Sequence, residues 1–155
     1  MMKTVFSSRI FYCILVIIWI ILVFAFSNQN GDKSQGMSDI ITDRIVKVVT
    51  KLNPDIKYKS AKDTTNFIVR KIAHFTIYFI GGILIFNFID TFSIKTKNKL
   101  LISILIVILY AVSDELHQLF ISERTAQIRD VLIDSTGAII AIFLISRIKG
   151  EKWKS

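Results

Sequence analysis

The chain is poor in the residues that staple, kink or punctuate soluble folds. Among 155 residues it has one cysteine, one proline, six glycines and two histidines. The single cysteine, Cys13, excludes an intramolecular disulfide and a cysteine-based metal site. Lying inside an apolar run, it reads as a small packing residue. The sequence holds no GxGxxG, P-loop, Gly-x-Ser-x-Gly or CxxC arrangement, so nucleotide binding and hydrolase chemistry of those kinds lack support. Ser122 and Ser135 are not nucleophiles on spacing alone. No cofactor is expected. Acidic residues are the scarcer charge, 12 against 20 Lys and Arg, for a formal net charge of +8. The basic residues punctuate apolar runs instead of forming one stripe, which argues against nucleic acid as a partner.

What the chain has in abundance is apolar sequence: 52% of residues are hydrophobic and the mean hydropathy is +0.54. A helix needs about 20 apolar residues to cross about 30 Å of hydrocarbon. Four stretches meet or approach that length, at about 10–26, 72–89, 100–119 and 131–146. The fourth is short, and flanking residues or local thinning absorb such a mismatch. Lys3 and Arg9 before the first run, and Ala25-Phe26-Ser27 after it, have the look of a signal peptide. Its apolar core exceeds the usual length of such a region, which favours a retained first span. The expected fold is all-α: a four-transmembrane-helix bundle forming one domain over residues 1–155.

Orientation follows from the short flanks. Lys3 and Arg9, then Lys95, Lys97 and Lys99, then Arg147, Lys149, Lys152 and Lys154 mark one side. In the connection from Ser122 to Asp130, Arg124 and Arg129 are balanced by Glu123 and Asp130. The positive-inside rule then places both termini in the cytoplasm. The long connection, Asn28 to Lys71, carries nine basic and five acidic residues, but long connections count less in that rule. Residues 28–36 read as a polar loop. Ile41, Ile45, Val48, Val49 and Leu52 then fall on one helical face, an amphipathic helix set over the bundle mouth or in the outer headgroup layer. Asn53-Pro54-Asp55 breaks it.

Ionisable residues gather at three helix ends. Arg70, Lys71 and His74 open the second span; Asp114, Glu115, His117 and Gln118 close the third; Asp130 and Asp134 open the fourth. Alternating spans bring these ends to one membrane side, the outer one on the orientation above. Arg70, His74 and Tyr78 share a helical face, as do Asp114 and Gln118, and Asp130 and Asp134. Asp114 lies about 7–9 Å inside the end of its span, too deep to reach water, so pairing with Arg70, Lys71, Arg124 or Arg129 is expected. Asp114 and His117 share a face one turn apart, as helical metal pairs require, and His74 or Asp134 could complete a shell, but metal binding is the minor reading and no metal is expected.

These segments also carry a family resemblance. R-K-I-A-H-F-T-I-Y (Arg70–Tyr78), S-D-E-L-H-Q-L-F-I-S-E-R (Ser113–Arg124) and R-D-V-L-I-D-S-T-G-A (Arg129–Ala138) resemble the VanZ-like family, with F-S-N-Q (Phe26–Gln29) as a further element. The resemblance spans about residues 10 to 146. It implies that Arg70, Lys71, His74, Tyr78, Asp114, Glu115, Gln118, Arg124, Asp130 and Gly137 carry the signature. Ile-Ser-Glu stands before Arg124 where Pro-Gly is common, and Ala141 where a second glycine often falls. Gly137 and Ala141 still form a small-xxx-small pair suited to close helix packing.

The resemblance implies a multi-pass protein of the bacterial plasma membrane, associated with lowered susceptibility to teicoplanin-type glycopeptides. The leading expectation is a non-enzymatic protein that binds a membrane lipid, or an envelope-lipid or peptidoglycan-precursor headgroup, at Arg70, Lys71, His74, Tyr78, Asp114, Glu115, Gln118, Arg124, Asp130 and Asp134. The alternative is an intramembrane enzyme on a lipid-linked envelope substrate, with His74, Asp114 or Glu115 in acid–base roles. A purely structural ion-pair network is the plain competitor for the same residues. A transporter fits poorly, because the ionisable groups reach one side only.

Overall fold

A computed structural model describes residues 2–28, 31–53, 57–121 and 127–150. They form five helices, α1 (Met2–Ser27), α2 (Gly31–Leu52), α3 (Tyr58–Asp90), α4 (Thr96–Gln118) and α5 (Ile128–Ile148), with no strand among the described residues. Four of these, all but α2, are long and apolar enough to cross a membrane. Gln29, Pro54, Asp55, the Ser122–Glu123–Arg124 turn, and Lys152 and Lys154 lie outside the described residues.

The spans alternate in direction. Arg9 of α1 reaches Thr91 after α3, while Trp19 of α1 donates its indole N–H to the Ile77 carbonyl at 2.8 Å. Lys71 near the middle of α3 pairs with Asp130 at the start of α5, and Lys149 after α5 pairs with Asp90 at the end of α3. Two polar ends therefore cap one apolar bundle. Around its outside, Ile10, Phe11, Ile14, Ile17, Ile21, Phe24, Leu101, Leu105, Leu109 and Leu144 are exposed. Helices that are apolar all round suit lipid, not water.

Inside, Trp19, Tyr78, Ile85, Phe86, Val107, Ala111, Ala138 and Ile142 form the core. The α3–α5 interface is the most extensive, and missing side chains allow it. A Cβ on Gly82 would lie 2.4 Å from the Ala138 carbonyl oxygen, and one on Gly137 would lie 2.5 Å from that of Phe75. Ala141, one turn after Gly137, is fully buried. Gly81 makes room for the Trp19 ring, 2.2 Å from where its own Cβ would stand. Dispersion between closely packed backbones is what holds helices together where lipid removes the hydrophobic incentive.

Two boundaries differ from expectation. The stretch read as a polar loop is helical from Gly31, and α3 begins at Tyr58, well before Arg70. The extension of α3 packs against α2 as an antiparallel hairpin. Thr42 donates to Asn66 Oδ1 at 2.7 Å, Asn66 donates to Asp39 Oδ1 at 2.9 Å, and Lys62 pairs with Asp43 at 3.0 Å. Hydrogen bonds from Lys62, and then from Tyr58, hold the Asp43 carboxyl below its ordinary pKa. Once a helix is nucleated each added residue costs little, so such cross-helix contacts extend α3. At its full length α3 runs to about 50 Å, more than a bilayer core requires, so its first turns project beyond the apolar bundle.

The amphipathic helix is present, and it packs by a face other than its apolar stripe. Thr42 and Val46 are fully buried, while Ile41, Ile45, Val48, Val49 and Leu52 remain exposed. The contacts to α3 are largely polar, and they leave that stripe outward.

Candidate functional site

The polar end formed by α3, α4 and α5 is built as a ladder. On α3 the residues Lys71, His74 and Tyr78 follow one another at three- and four-residue steps, so each lies about one helical turn deeper than the last. At the mouth, Lys71 hydrogen-bonds Asp130 of α5, both side chains being mostly buried. One turn deeper, His74 Nδ1 lies 3.5 Å from Asp134 Oδ1 of α5. A further turn in, the Tyr78 hydroxyl donates to Asp114 Oδ2 of α4 at 3.2 Å, and Gln118 Nε2 approaches the same oxygen at 3.5 Å.

Glu115 closes the arrangement. Its Oε2 accepts the backbone N–H of Gln127, the residue before α5, at 2.9 Å. That bond ties the end of α4 to the start of α5. Arg129 donates to Gln127 Oε1 at 2.9 Å. Phe67 of α3 carries two cations on its ring, Arg129 at 5.1 Å and Lys71 at 5.2 Å.

The expected convergence of Lys71, His74, Tyr78, Asp114, Glu115, Gln118, Asp130 and Asp134 at one bundle end is thus present in the geometry. The expected partner of Asp114 is not. No described cation reaches it; a phenol and an amide satisfy it instead. Lys71 is engaged a level above by Asp130, and Asp114 faces α3 at Tyr78, about 10 Å further along the helix. Arg70 is half-buried and forms no ion pair with a described residue, and Arg124 lies outside the described residues.

Burial sharpens toward the bottom of the ladder. Tyr78 and Asp134 are fully buried, and Asp114, Glu115 and Gln118 nearly so, whereas the His74 side chain is 28% exposed. Asp134 Oδ2, Glu115 Oε1 and Ser135 Oγ have no hydrogen-bond partner among the described residues, and His74 Nδ1 and Asp134 Oδ1 meet only each other, across a long 3.5 Å. Buried groups of this kind are normally satisfied, and each unmade bond costs about 1–3 kcal/mol. The arrangement therefore gathers incompletely bonded acceptors and a partly exposed histidine at one bundle end.

His117 plays another part. Its ring stacks on Phe24 of α1, with centroids 4.7 Å apart at 29°, whereas Asp114 faces Tyr78. Among the described residues no three His, Cys, Asp or Glu side chains gather as a metal shell would require.

Sequence reasoning missed the residues that hold the ladder in place. Trp19 meets Tyr78 edge-on at 5.7 Å, and Tyr110 lies 4.9 Å from Trp19 and donates its hydroxyl to the Ile20 carbonyl at 2.9 Å. The signals were present. Trp19 is the one tryptophan within the apolar runs, and Tyr110 precedes Asp114 by one helical turn.

No curated protein and no solved structure gives a match to this chain. The VanZ/LLP1 family model matches residues 11–149, which takes in all three rungs of the ladder, the three helices from Tyr58 to Ile148 that carry it, and most of α1. The chain belongs to the VanZ/LLP1 family and is a membrane protein of that family.

Proposed function

We propose that this protein sits in the bacterial plasma membrane with both termini cytoplasmic, and that the ladder opens to the outer face. There it binds the headgroup of an envelope lipid or peptidoglycan precursor and so lowers susceptibility to teicoplanin-type glycopeptides. The observation that carries the reading is Asp134. It is fully buried, its Oδ2 has no hydrogen bond among the described residues, and its Oδ1 meets only a histidine that reaches the surface, across a long 3.5 Å. A structural ion pair in lipid gains nothing from leaving acceptors unmet. A polar ligand that brings donors to Asp134 and acceptors to Lys71, Arg129 and His74 removes that cost. The family name supports the link to glycopeptide resistance. The basic residues at the opposite end, among them Lys95, Lys97 and Arg147, support the orientation.

Glycopeptide susceptibility of cells carrying equal membrane levels of the wild-type, His74→Ala and Asp114→Asn proteins tests the reading. Loss of protection in the variants is the expected result; full protection in either would refute it.

The 3.5 Å approach of His74 to Asp134 also favours a second reading, an intramembrane enzyme. A histidine oriented by a carboxylate is suited to move a proton on a lipid-linked substrate. Liposomes containing the protein and lipid-linked envelope substrates would then accumulate a new lipid species, absent with His74→Ala.

A further inference from the structure

The opposite end of the bundle contains a cleft of about 420 Å³, bordered by the start of α1, the end of α3, the start of α4 and the residue after α5. Tyr12, Asn87, Thr91, Ser93, Lys99 and Lys149 are among the residues lining it. Asp90 stands in its wall between two lysines: Lys99 Nζ is 2.7 Å from one carboxylate oxygen and Lys149 Nζ 2.6 Å from the other. Arg9 closes one edge, donating to the Thr91 carbonyl at 3.1 Å and lying 4.2 Å over the Phe92 ring.

Among the described residues basic groups outnumber acidic ones at this end: Lys99 and Lys149 pair with Asp90, Arg9 holds the neighbouring Thr91, and Lys95, Lys97 and Arg147 are exposed. An ammonium carries three N–H donors, so a lysine bonded to one carboxylate oxygen can also bind an anion. The depth is informative too. Asp90 ends its span, Lys99 lies in the first turn of the next and Lys149 directly follows the last, so the cleft lies where apolar helix gives way to headgroup. Juxtamembrane lysines and arginines at that level attract anionic lipid.

We propose that this cleft is a binding site for a phosphate-bearing anion at the membrane interface, with Lys99 and Lys149 as its cationic wall and Asp90 as the carboxylate with which the anion competes for them. The site is separate from the ladder and independent of what the ladder binds. Two sources carry the same chemistry, an anionic phospholipid headgroup and free phosphate.

Native mass spectrometry of the full chain in detergent, titrated with phosphatidylglycerol, phosphatidylcholine or inorganic phosphate, tests the assignment. Phosphatidylglycerol is expected to bind in preference to phosphatidylcholine, and Lys149→Gln to weaken that binding about fivefold. Asp90→Asn, which removes the competing carboxylate, is expected to tighten it. The opposite signs separate an anion site from a folding defect. The triple variant Lys99→Gln, Lys149→Gln, Asp90→Asn removes the three charges together and should lose the preference. A Lys95→Gln, Lys97→Gln control should keep most of it. Binding of phosphatidylglycerol alone identifies the lipid as the source. Binding of inorganic phosphate at the same lysines supports the site and identifies phosphate alone as what it reads. The assignment is overturned if neither anion binds in preference to phosphatidylcholine, if Asp90→Asn weakens binding, or if the control variant loses as much as Lys149→Gln.

Discussion

Tyr78 and Asp114 meet at the bottom of the polar ladder, the phenol donating to the carboxylate across 3.2 Å with both side chains buried. The bond joins α3 to α4 well inside the bundle, and the Trp19 edge holds the Tyr78 ring from the third side. Removing the hydroxyl should therefore be felt as stability. Tyr78→Phe is expected to cost about 1–2 kcal/mol in reversible unfolding in detergent or bicelles. A double-mutant cycle with Asp114→Ala should return a favourable coupling energy. Strict additivity would show that the two groups do not interact.

Gly137 and Gly82 set the α3–α5 distance. An alanine at either meets a backbone carbonyl that cannot swing aside. Gly137→Ala and Gly82→Ala should each destabilise the protein by about 1–3 kcal/mol, as overpacking does. A thermal melt of the purified variants checks this, with Ala141→Gly as a milder comparison at the same interface. Wild-type melting of the Gly137 variant would contradict the close approach.

His117 lies against Phe24, and its stack needs an aromatic ring, not an imidazole. His117→Phe should leave melting temperature and any susceptibility phenotype within error of wild type. Metal chelation should have no effect on either. A chelator-sensitive phenotype lost with His117→Phe would restore a metal role for this residue.

The α2–α3 hairpin should respond to acid. The Lys62 and Tyr58 hydrogen bonds hold Asp43 below its ordinary pKa of 3.8, so its stabilising contribution is complete above that value and fades as pH falls through the lower folded one. Hydrogen exchange across residues 39–52 should quicken as pH drops below this window, beyond the intrinsic pH dependence. Asp43→Asn should remove the excess. Equal pH responses in wild type and variant would show that the ion pair does not hold the hairpin.

Much of this molecule could be read from its residues because lipid imposes strong patterns. Apolar length located all four spans. Helical spacing placed Lys71, His74, Tyr78, Asp114 and Asp134 at one end, since alternating spans leave no other arrangement. Partner choice was harder. Asp114 was expected to seek a cation, but the register of α3 against α4 puts Tyr78 opposite it, and register across two helices is not written in either one alone. The early start of α3 was hidden for the same reason: Asn66 and Lys62 favour helix only once Thr42 and Asp43 of α2 face them. Gly81 and Gly82 looked unremarkable until Trp19 and Ala138 occupied the space they leave.

The central claim is that the His74–Asp134 level of the ladder receives a polar headgroup. Its most direct test is titration of a lipid-linked peptidoglycan precursor into liposome-reconstituted protein, comparing wild type with Asp134→Asn and His74→Ala. Each substitution removes one hydrogen-bonding partner of the headgroup, and affinity should fall about tenfold or more while helical content and melting temperature stay near wild type. Saturable binding that neither substitution weakens, or no binding by the wild type, would contradict the account.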